Sequence, residues 1–438
     1  MSPAGAERLE WVLWTTLVLG TSFFVNQYVP DPYMDEIFHA PQFSRYCERH
    51  MDWDPKITTP AGLYLVTLGL HVLLYPFGFA KCTQTGWIRF TNVLVLSIIP
   101  WLCLRIRQRQ GRRRASLAPW ICATLPPLWF FGFLYYTDVL STVAVLAGML
   151  AMESRRYGMA ALFGWLSLWF RQNNIVWVLF MMGASMLQEL QRLSSTPAEK
   201  MPPMLTLVQH SSTWAKLVRT GAIFLPVFVS FAAYLWWNDG SVVLGDKSHH
   251  QLAMHLPQLG YLFAFTLFFG WPAVVSSLRG PWLYHHGILA VVLLLAGFLA
   301  VHFGTMEHPF LLADNRHYTF YVWRRIVKAH DAMPYVLVLV YAFSGMLWMR
   351  TLARTRNALW ILGWLIATSL TVVPSPLIEP RYFLVSYLLL RLYAPDPPFQ
   401  LQWLELACHI CINAVTMTVF CLYPFRWPRE VGWQRFMW

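Results

Sequence analysis

A chain of 438 residues that is 57% hydrophobic and only 12% charged holds about half the charge of a soluble domain, which excludes a soluble enzyme. Its net charge of +12 comes mostly from arginines in short loops, which reads as membrane topology and excludes a nucleic-acid binder. Uncharged runs near the roughly 20 residues that cross a bilayer recur from end to end, so the fold class is an all-α polytopic membrane protein.

The first apolar run, 10–29, lacks a small-residue cleavage site and is expected to remain as the first span. The loop that follows places two adjacent carboxylates, Asp35 and Glu36, just outside the membrane, with His39, Arg45, Tyr46 and Trp53 close by in the chain. A carboxylate there suits proton transfer: it accepts the proton of a sugar hydroxyl as that hydroxyl attacks. Asp35 is equally suited to capping a helix over Glu36–Cys47.

Six arginines within 105–114 mark a cytosolic loop. Two apolar runs, 61–80 and 87–104, separate it from the acidic loop. If both crossed, the arginines and the acids would share a side. The reading that avoids this lets 87–104 cross and lays 61–80 in or along the lumenal leaflet, as part of a first loop over 30–86. Later spans are then expected near 117–135, 138–152, 158–170, 175–190, 219–237, 258–278, 283–301, 334–349, 357–373, 382–393 and 403–423, about thirteen in all. The whole of 1–438 reads as one integral membrane domain, with a lumenal C-terminus against which Arg426, Arg429 and Arg435 argue mildly.

This topology sorts the loops. The cytosolic ones, with Glu153, Arg155, Arg156, Arg350, Arg354 and Arg356, look basic and solvated. The lumenal ones hold Asp138, Arg171, Lys247, His249, Asp314, Arg316, His317, Glu379 and Arg381, so the reactive charges are expected on one rim. An arginine fork such as Arg381 suits a phosphate at headgroup depth, and equally an anchor paired with Glu379. Arg316, His317 and the aromatic and basic residues after them suit either a phosphate or an amphipathic helix on the leaflet. Asp246 is placed to neutralise Lys247. The histidines are dispersed, so no metal is expected. The seven cysteines are scattered; Cys408 and Cys411 have metal spacing but lie in an expected span without partner ligands, and read as buried thiols.

Six stretches carry a resemblance: Met34–His39, Trp53–Pro60, Arg171–Asn174, Gly245–Ser248, Leu311–Trp323 and Arg435–Trp438. Together they resemble the eukaryotic dolichyl-phosphate-glucose alpha-1,2-glucosyltransferases of asparagine-linked glycosylation, over essentially the whole chain. Asn173 departs from the threonine expected there. The resemblance implies a GT-C fold, multi-pass in the endoplasmic reticulum membrane, with a lumenal active site and membrane-parallel helices in the first loop. It implies dolichyl phosphate glucose as donor and a diglucosylated dolichyl diphosphate oligosaccharide as acceptor, with no cofactor. An acid of the first loop, Asp35 or Glu36, is then the base. Arg381, Arg316, His317, Lys247 and His249 are candidates for the donor phosphate and sugar; His39, Tyr46, Trp53, Asp138, Arg171, Asp314 and Glu379 for acceptor contact or support. The rivals are a lipid-linked sugar transporter or scramblase, and a non-catalytic membrane partner. No internal repeat favours the first of these.

Overall fold

Long apolar segments must satisfy their own backbone amides, and the helix does this within one segment. The computed structural model describes residues 3–78, 81–112, 116–203, 210–247, 253–278, 286–428 and 432–438, and their regular structure is almost wholly helical. The chain opens with α1 (Pro3–Tyr28), α2 (Glu36–Cys47), α3 (Gly62–Leu74) and α4 (Thr85–Arg109). It continues through α5 (Ala118–Ala123), α6 (Pro126–Phe131), α7 (Thr137–Glu153), α8 (Tyr157–Leu168), α9 (Ile175–Leu193), α10 (Ser211–Ala222) and α11 (Leu225–Trp237). The rest is α12 (Gln258–Val274), α13 (Gly287–Gly304), α14 (Pro309–Ala313), α15 (Tyr318–Val322), α16 (Met333–Ala353), α17 (Ala358–Val372), α18 (Leu384–Tyr393) and α19 (Phe399–Leu422). A two-residue pair, β1 (Phe425–Arg426) and β2 (Trp433–Gln434), follows α19.

Five described helices are long and apolar enough to cross a bilayer: α4, α12 with its extension to Leu278, α13, α16 and α19. The pair α10 and α11, bent by 46°, makes a sixth if it is one crossing. Several expected spans are shorter than the sequence suggests. The run over 117–135 is two helices, because Pro126 and Pro127 offer no amide to the turn before them and Leu125 is driven to an extended ψ of 120°. Asn413 Nδ2 donates to the Thr124 carbonyl at the break, 2.8 Å away.

Two hydrogen bonds orient the first part of the chain. Arg89, near the start of α4, donates to the Val29 carbonyl (2.6 Å) just past the end of α1, and Trp14 Nε1 donates to Ser97 O (3.3 Å). The helices α1 and α4 are therefore antiparallel, and the chain leaves one and enters the other at the same end. The helices α2 and α3 are an excursion at that end. They lie side by side and parallel: His39 meets Tyr64 near their starts (2.6 Å), and Phe43 and Cys47 meet His71 further along. A disulfide between Cys47 and Cys82 closes the excursion. Gly62 opens α3 with its amide on the Trp169 carbonyl at 2.9 Å; a Cβ there would sit 2.4 Å from that oxygen, so only glycine fits.

Charged side chains gather in two layers. One contains Asp35, Glu36, Arg89, Asp138 and Arg381. The other, toward the far ends of α4 and α7, pairs Arg107 with Asp396, Arg356 with Glu153 and Arg391 with Glu405. The 18 residues from Arg89 to Arg107 and the 15 from Asp138 to Glu153 put the layers about 22–27 Å apart, near the ~30 Å thickness of a hydrocarbon core. This corrects the expectation of charges on one rim and solvated loops on the other. Arg391 and Glu405 are fully buried, and Glu153 accepts from the Tyr393 hydroxyl at 2.8 Å.

Candidate active site

The turn between α1 and α2 sets the two acids apart. Met34 takes a left-handed backbone (φ 55°), an uncommon conformation for a residue with a Cβ. It directs the Tyr33 amide back onto Glu36 Oε2 (3.0 Å). Arg89 completes the arrangement, its Nε 2.8 Å from Oε1 and its Nη2 2.6 Å from Oε2, while the Tyr135 amide donates to Oε1 at 2.6 Å. Four donors thus occupy the four in-plane lone pairs of Glu36. Both side chains are at 0% exposure. The ion-pair partner of Glu36 is Arg89.

Asp35 points elsewhere. Its side chain makes no cap bond to α2, so the capping role is not taken up. Oδ2 accepts from Arg381 Nη1 at 2.9 Å, and Oδ1 has no hydrogen-bond partner among the described residues. Its amide donates to the Tyr136 hydroxyl at 3.1 Å. Protein crowds it, yet 40% of the side chain stays accessible, as on the floor of a cleft. Burial pushes the carboxyl up, and the Arg381 guanidinium outweighs that and holds it below its ordinary 3.8. His39, buried beside it, is pushed down by burial to about 4 and is neutral at neutral pH.

Arg381 is the hub. The 3-10 turn Pro380–Phe383 before α18 presents it to Asp35 and Glu379, with Asp138 Oδ2 at 3.9 Å. Its guanidinium lies over the rings of Tyr136, Phe131 and Tyr382 at 5.4, 5.8 and 5.9 Å. Arg171 holds the other oxygen of Asp138 at 2.7 Å and also stacks on Tyr382, at 5.2 Å. Three carboxylates (Asp35, Asp138, Glu379) thus face two guanidiniums (Arg171, Arg381), a surplus of one negative charge. The structure brings together Asp35, His39, Asp138, Arg171, Glu379 and Arg381 from four separate stretches of sequence.

A second group lies beside the first. Arg316 grips Asp314 through Nε (2.8 Å) and Nη2 (2.7 Å), bonds Gln434 (2.8 Å) and stacks on Trp427 at 4.7 Å. His317 Nε2 is 3.8 Å from Asp314, and the field of His317 reaches Asp35 and Glu379. Lys247 stands apart, on the Asn238 carbonyl at 3.2 Å and near Asp239; His249 lies outside the described residues. Tyr46 and Trp53 pack edge-on to Tyr64 rather than onto the acids. They wall a largely apolar cavity of about 760 Å³ together with Ala61, Trp169, Gln172 and Tyr234. Gly245 (φ 57°) seals the loop behind it: a Cβ there would lie 2.4 Å from the Pro55 and Ile57 carbonyls.

Reading the sequence missed Arg89, hidden in an apolar run, and Tyr136 and Tyr382. It also missed the disulfide, although Cys47 and Cys82 are the two cysteines outside every apolar run. Their sulfurs are bonded to each other, and His71 Nε2 lies 3.5 Å from that of Cys47.

The DIE2/ALG10 family model matches residues 29–392. The chain is 35% identical over 507 aligned residues to the Dol-P-Glc:Glc(2)Man(9)GlcNAc(2)-PP-Dol alpha-1,2-glucosyltransferase of Arabidopsis thaliana, covering 97% of this chain and 98% of the relative. It is 34% identical to a human protein of the same name and 35% identical to one from Mus musculus, each covering 93% of both chains. No solved structure matches. With the family model spanning most of the chain and relatives aligned almost end to end, the protein belongs to the DIE2/ALG10 family.

Proposed function

We propose that the protein transfers glucose from dolichyl phosphate glucose to the diglucosylated dolichyl diphosphate oligosaccharide, making the terminal alpha-1,2 linkage. The relatives that align along the whole chain carry this activity in their names. The observation that carries the mechanism is the accessible, half-occupied carboxylate of Asp35 next to the saturated one of Glu36.

On this reading the 2-hydroxyl of the terminal acceptor glucose attacks the anomeric carbon of the donor. Its proton passes to Asp35 Oδ1 as the new C–O bond forms. The bond from the anomeric carbon to phosphate oxygen breaks, and dolichyl phosphate departs with the electron pair. One displacement inverts a beta-linked donor to an alpha product. Asp35 serves because it is ionised, oriented by Arg381 and open to substrate. Glu36, with no lone pair to offer, holds the turn in place.

The phosphate is best met by Arg316 and His317. Arg381 and Arg316 both hold carboxylates and differ in the charge around them: three carboxylates face the two guanidiniums of Arg381 and Arg171, a surplus that repels a phosphate, whereas Arg316 grips Asp314 with His317 beside it. The Arg316 guanidinium supplies there the positive charge a metal would otherwise supply. The tryptophan-walled cavity gives an isoprenoid chain a place to lie.

The proposed setting is a GT-C fold in the endoplasmic reticulum membrane, with shorter helices crossing beside the five long ones and the site facing the lumen. The disulfide at the site end suits an oxidising compartment, and Arg105, Arg107, Arg109 and Arg112 at the far end suit the cytosol. Purified protein, dolichyl phosphate glucose and the diglucosylated acceptor test the reading. A triglucosylated product with an alpha-1,2 terminus, formed at the same rate with added chelator, is expected. Movement of lipid-linked sugar across vesicles without glucosyl transfer would show a transporter instead.

A further inference from the structure

The last residues of the chain return to the site. Arg435 anchors them: its Nη1 donates to the Phe420 and Cys421 carbonyls (2.7 and 2.8 Å) and its Nη2 to that of Tyr28 (2.8 Å). One side chain thus gathers the unsatisfied ends of α19 and α1. The Arg435 amide donates to the Tyr33 hydroxyl, which donates to the Arg435 carbonyl, both at 2.8 Å. Tyr33 is the residue whose amide holds Glu36.

Two residues on, the same segment grips the other half of the site. The Met437 amide donates to Arg316 O and the Tyr318 amide to Met437 O, each at 2.9 Å, a parallel bridge centred on His317. Gln434 accepts from Arg316 (2.8 Å). A main-chain oxygen of Trp438 lies 3.0 Å from His317 Nδ1; since that oxygen only accepts, Nδ1 carries a proton, and Nε2 lies 3.8 Å from Asp314 Oδ2. Met437 is almost fully buried, and the Trp438 ring packs on Tyr318 and Phe269 at 5.2 and 5.8 Å. Two donors here, Tyr318 Oη and Trp438 Nε1, are buried with no partner among the described residues. Buried donors left so are costly unless a ligand oxygen takes them.

We propose that Arg435–Trp438 is a positioning element of the active site, a clasp that joins the Asp35 turn to the Arg316–His317 loop and aims His317 at the donor phosphate. This rests on the glucosyl-transfer reading. The test cuts the bridge centred on His317 and leaves the Arg435 anchor on Tyr33 in place, so its effect passes through His317. The test is a double-mutant cycle on the full-length protein, with Met437→Pro, which removes the amide bonded to Arg316, and His317→Ala. Met437→Pro is expected to lower kcat/KM for dolichyl phosphate glucose about 10–100-fold in the native background and less than twofold in the His317→Ala background. Equal losses in both backgrounds, or none in either, would overturn the proposal. If Met437→Pro does not fold, a chain ending at Met437, which removes the oxygen that fixes His317, enters the same cycle. A native protein without transfer sinks the functional reading, whereas a native protein that transfers and a clasp variant that matches it sink only the clasp.

Discussion

Asp35 and Glu36 share a peptide bond, and each faces an arginine, but the regions around Arg381 and Arg89 are built in opposite ways. Around Arg89 one carboxylate meets one guanidinium, every lone pair is used, and both side chains are at 0% exposure. Around Arg381 three carboxylates crowd two guanidiniums, Asp138 Oδ2 has no hydrogen bond among the described residues, and Asp35 stays open. A balanced, saturated pair holds backbone in place and has nothing left for a substrate. An unbalanced, half-open one has both charge and lone pairs in reserve. The far layer shares the one-to-one pairing of the Arg89 region, Arg391 on Glu405 and Arg107 on Asp396, but not its saturation: Arg391 Nη1 and Arg107 Nε have no hydrogen-bond partner among the described residues.

The comparison can be broken first at Glu36. Glu36→Gln sets an amide NH₂ against backbone and guanidinium donors and leaves Arg89 a buried, unpaired charge. The expected loss is about 3–5 kcal/mol of stability, measured by denaturation in detergent. Unchanged stability would mean that the Arg89 region is not the framework. The disulfide is a smaller support, closing the excursion that this turn opens. Replacing both Cys47 and Cys82 by serine should cost about 2–4 kcal/mol, and equal melting of reduced and oxidised native protein would contradict this.

An effect confined to acid pH belongs to His39. It titrates near 4 in the folded protein against 6.5 ordinarily, so the unfolded chain takes up the proton first as pH falls. Its contribution is complete above pH 6.5 and is lost between about 6.5 and 4, at up to about 1.4 kcal/mol per pH unit. Asp35, held below 3.8, adds slope of the same sign only at the acid end of that window, where the unfolded carboxyl begins to protonate. His39→Gln should flatten the pH dependence of unfolding there; an unchanged slope would assign it to another group.

Much of the site could be read from sequence because its residues sit at the ends of apolar runs, where a charge stands out. Asp35, Asp138, Arg171 and Arg381 were found that way. Arg89 and Arg391 could not be, since each lies within an apolar run and only tertiary structure supplies its partner. Glu153 and Arg356 looked like ordinary solvated loop charges because sequence does not show that Tyr393 lies between them. The apolar runs forecast helices well and their lengths poorly. Pro126 and Pro127 divide one, and α8 and α18 stop at 12 and 10 residues. The tail was recognisable as a motif, but its strand-like return to His317 depends on contacts with residues more than a hundred positions away.

The central claim is that chemistry lies on the Arg381 side of the 35–36 peptide bond and architecture on the Arg89 side. The direct test is turnover per folded molecule for Asp35→Asn and Glu36→Gln, with purified protein, dolichyl phosphate glucose and the diglucosylated acceptor, at a temperature where both variants are folded. Asp35→Asn should lose a factor of about 10²–10⁴ in kcat while still binding donor, and Glu36→Gln should stay within about tenfold of native. A folded Glu36→Gln without activity beside an Asp35→Asn that keeps most of its own would contradict the account.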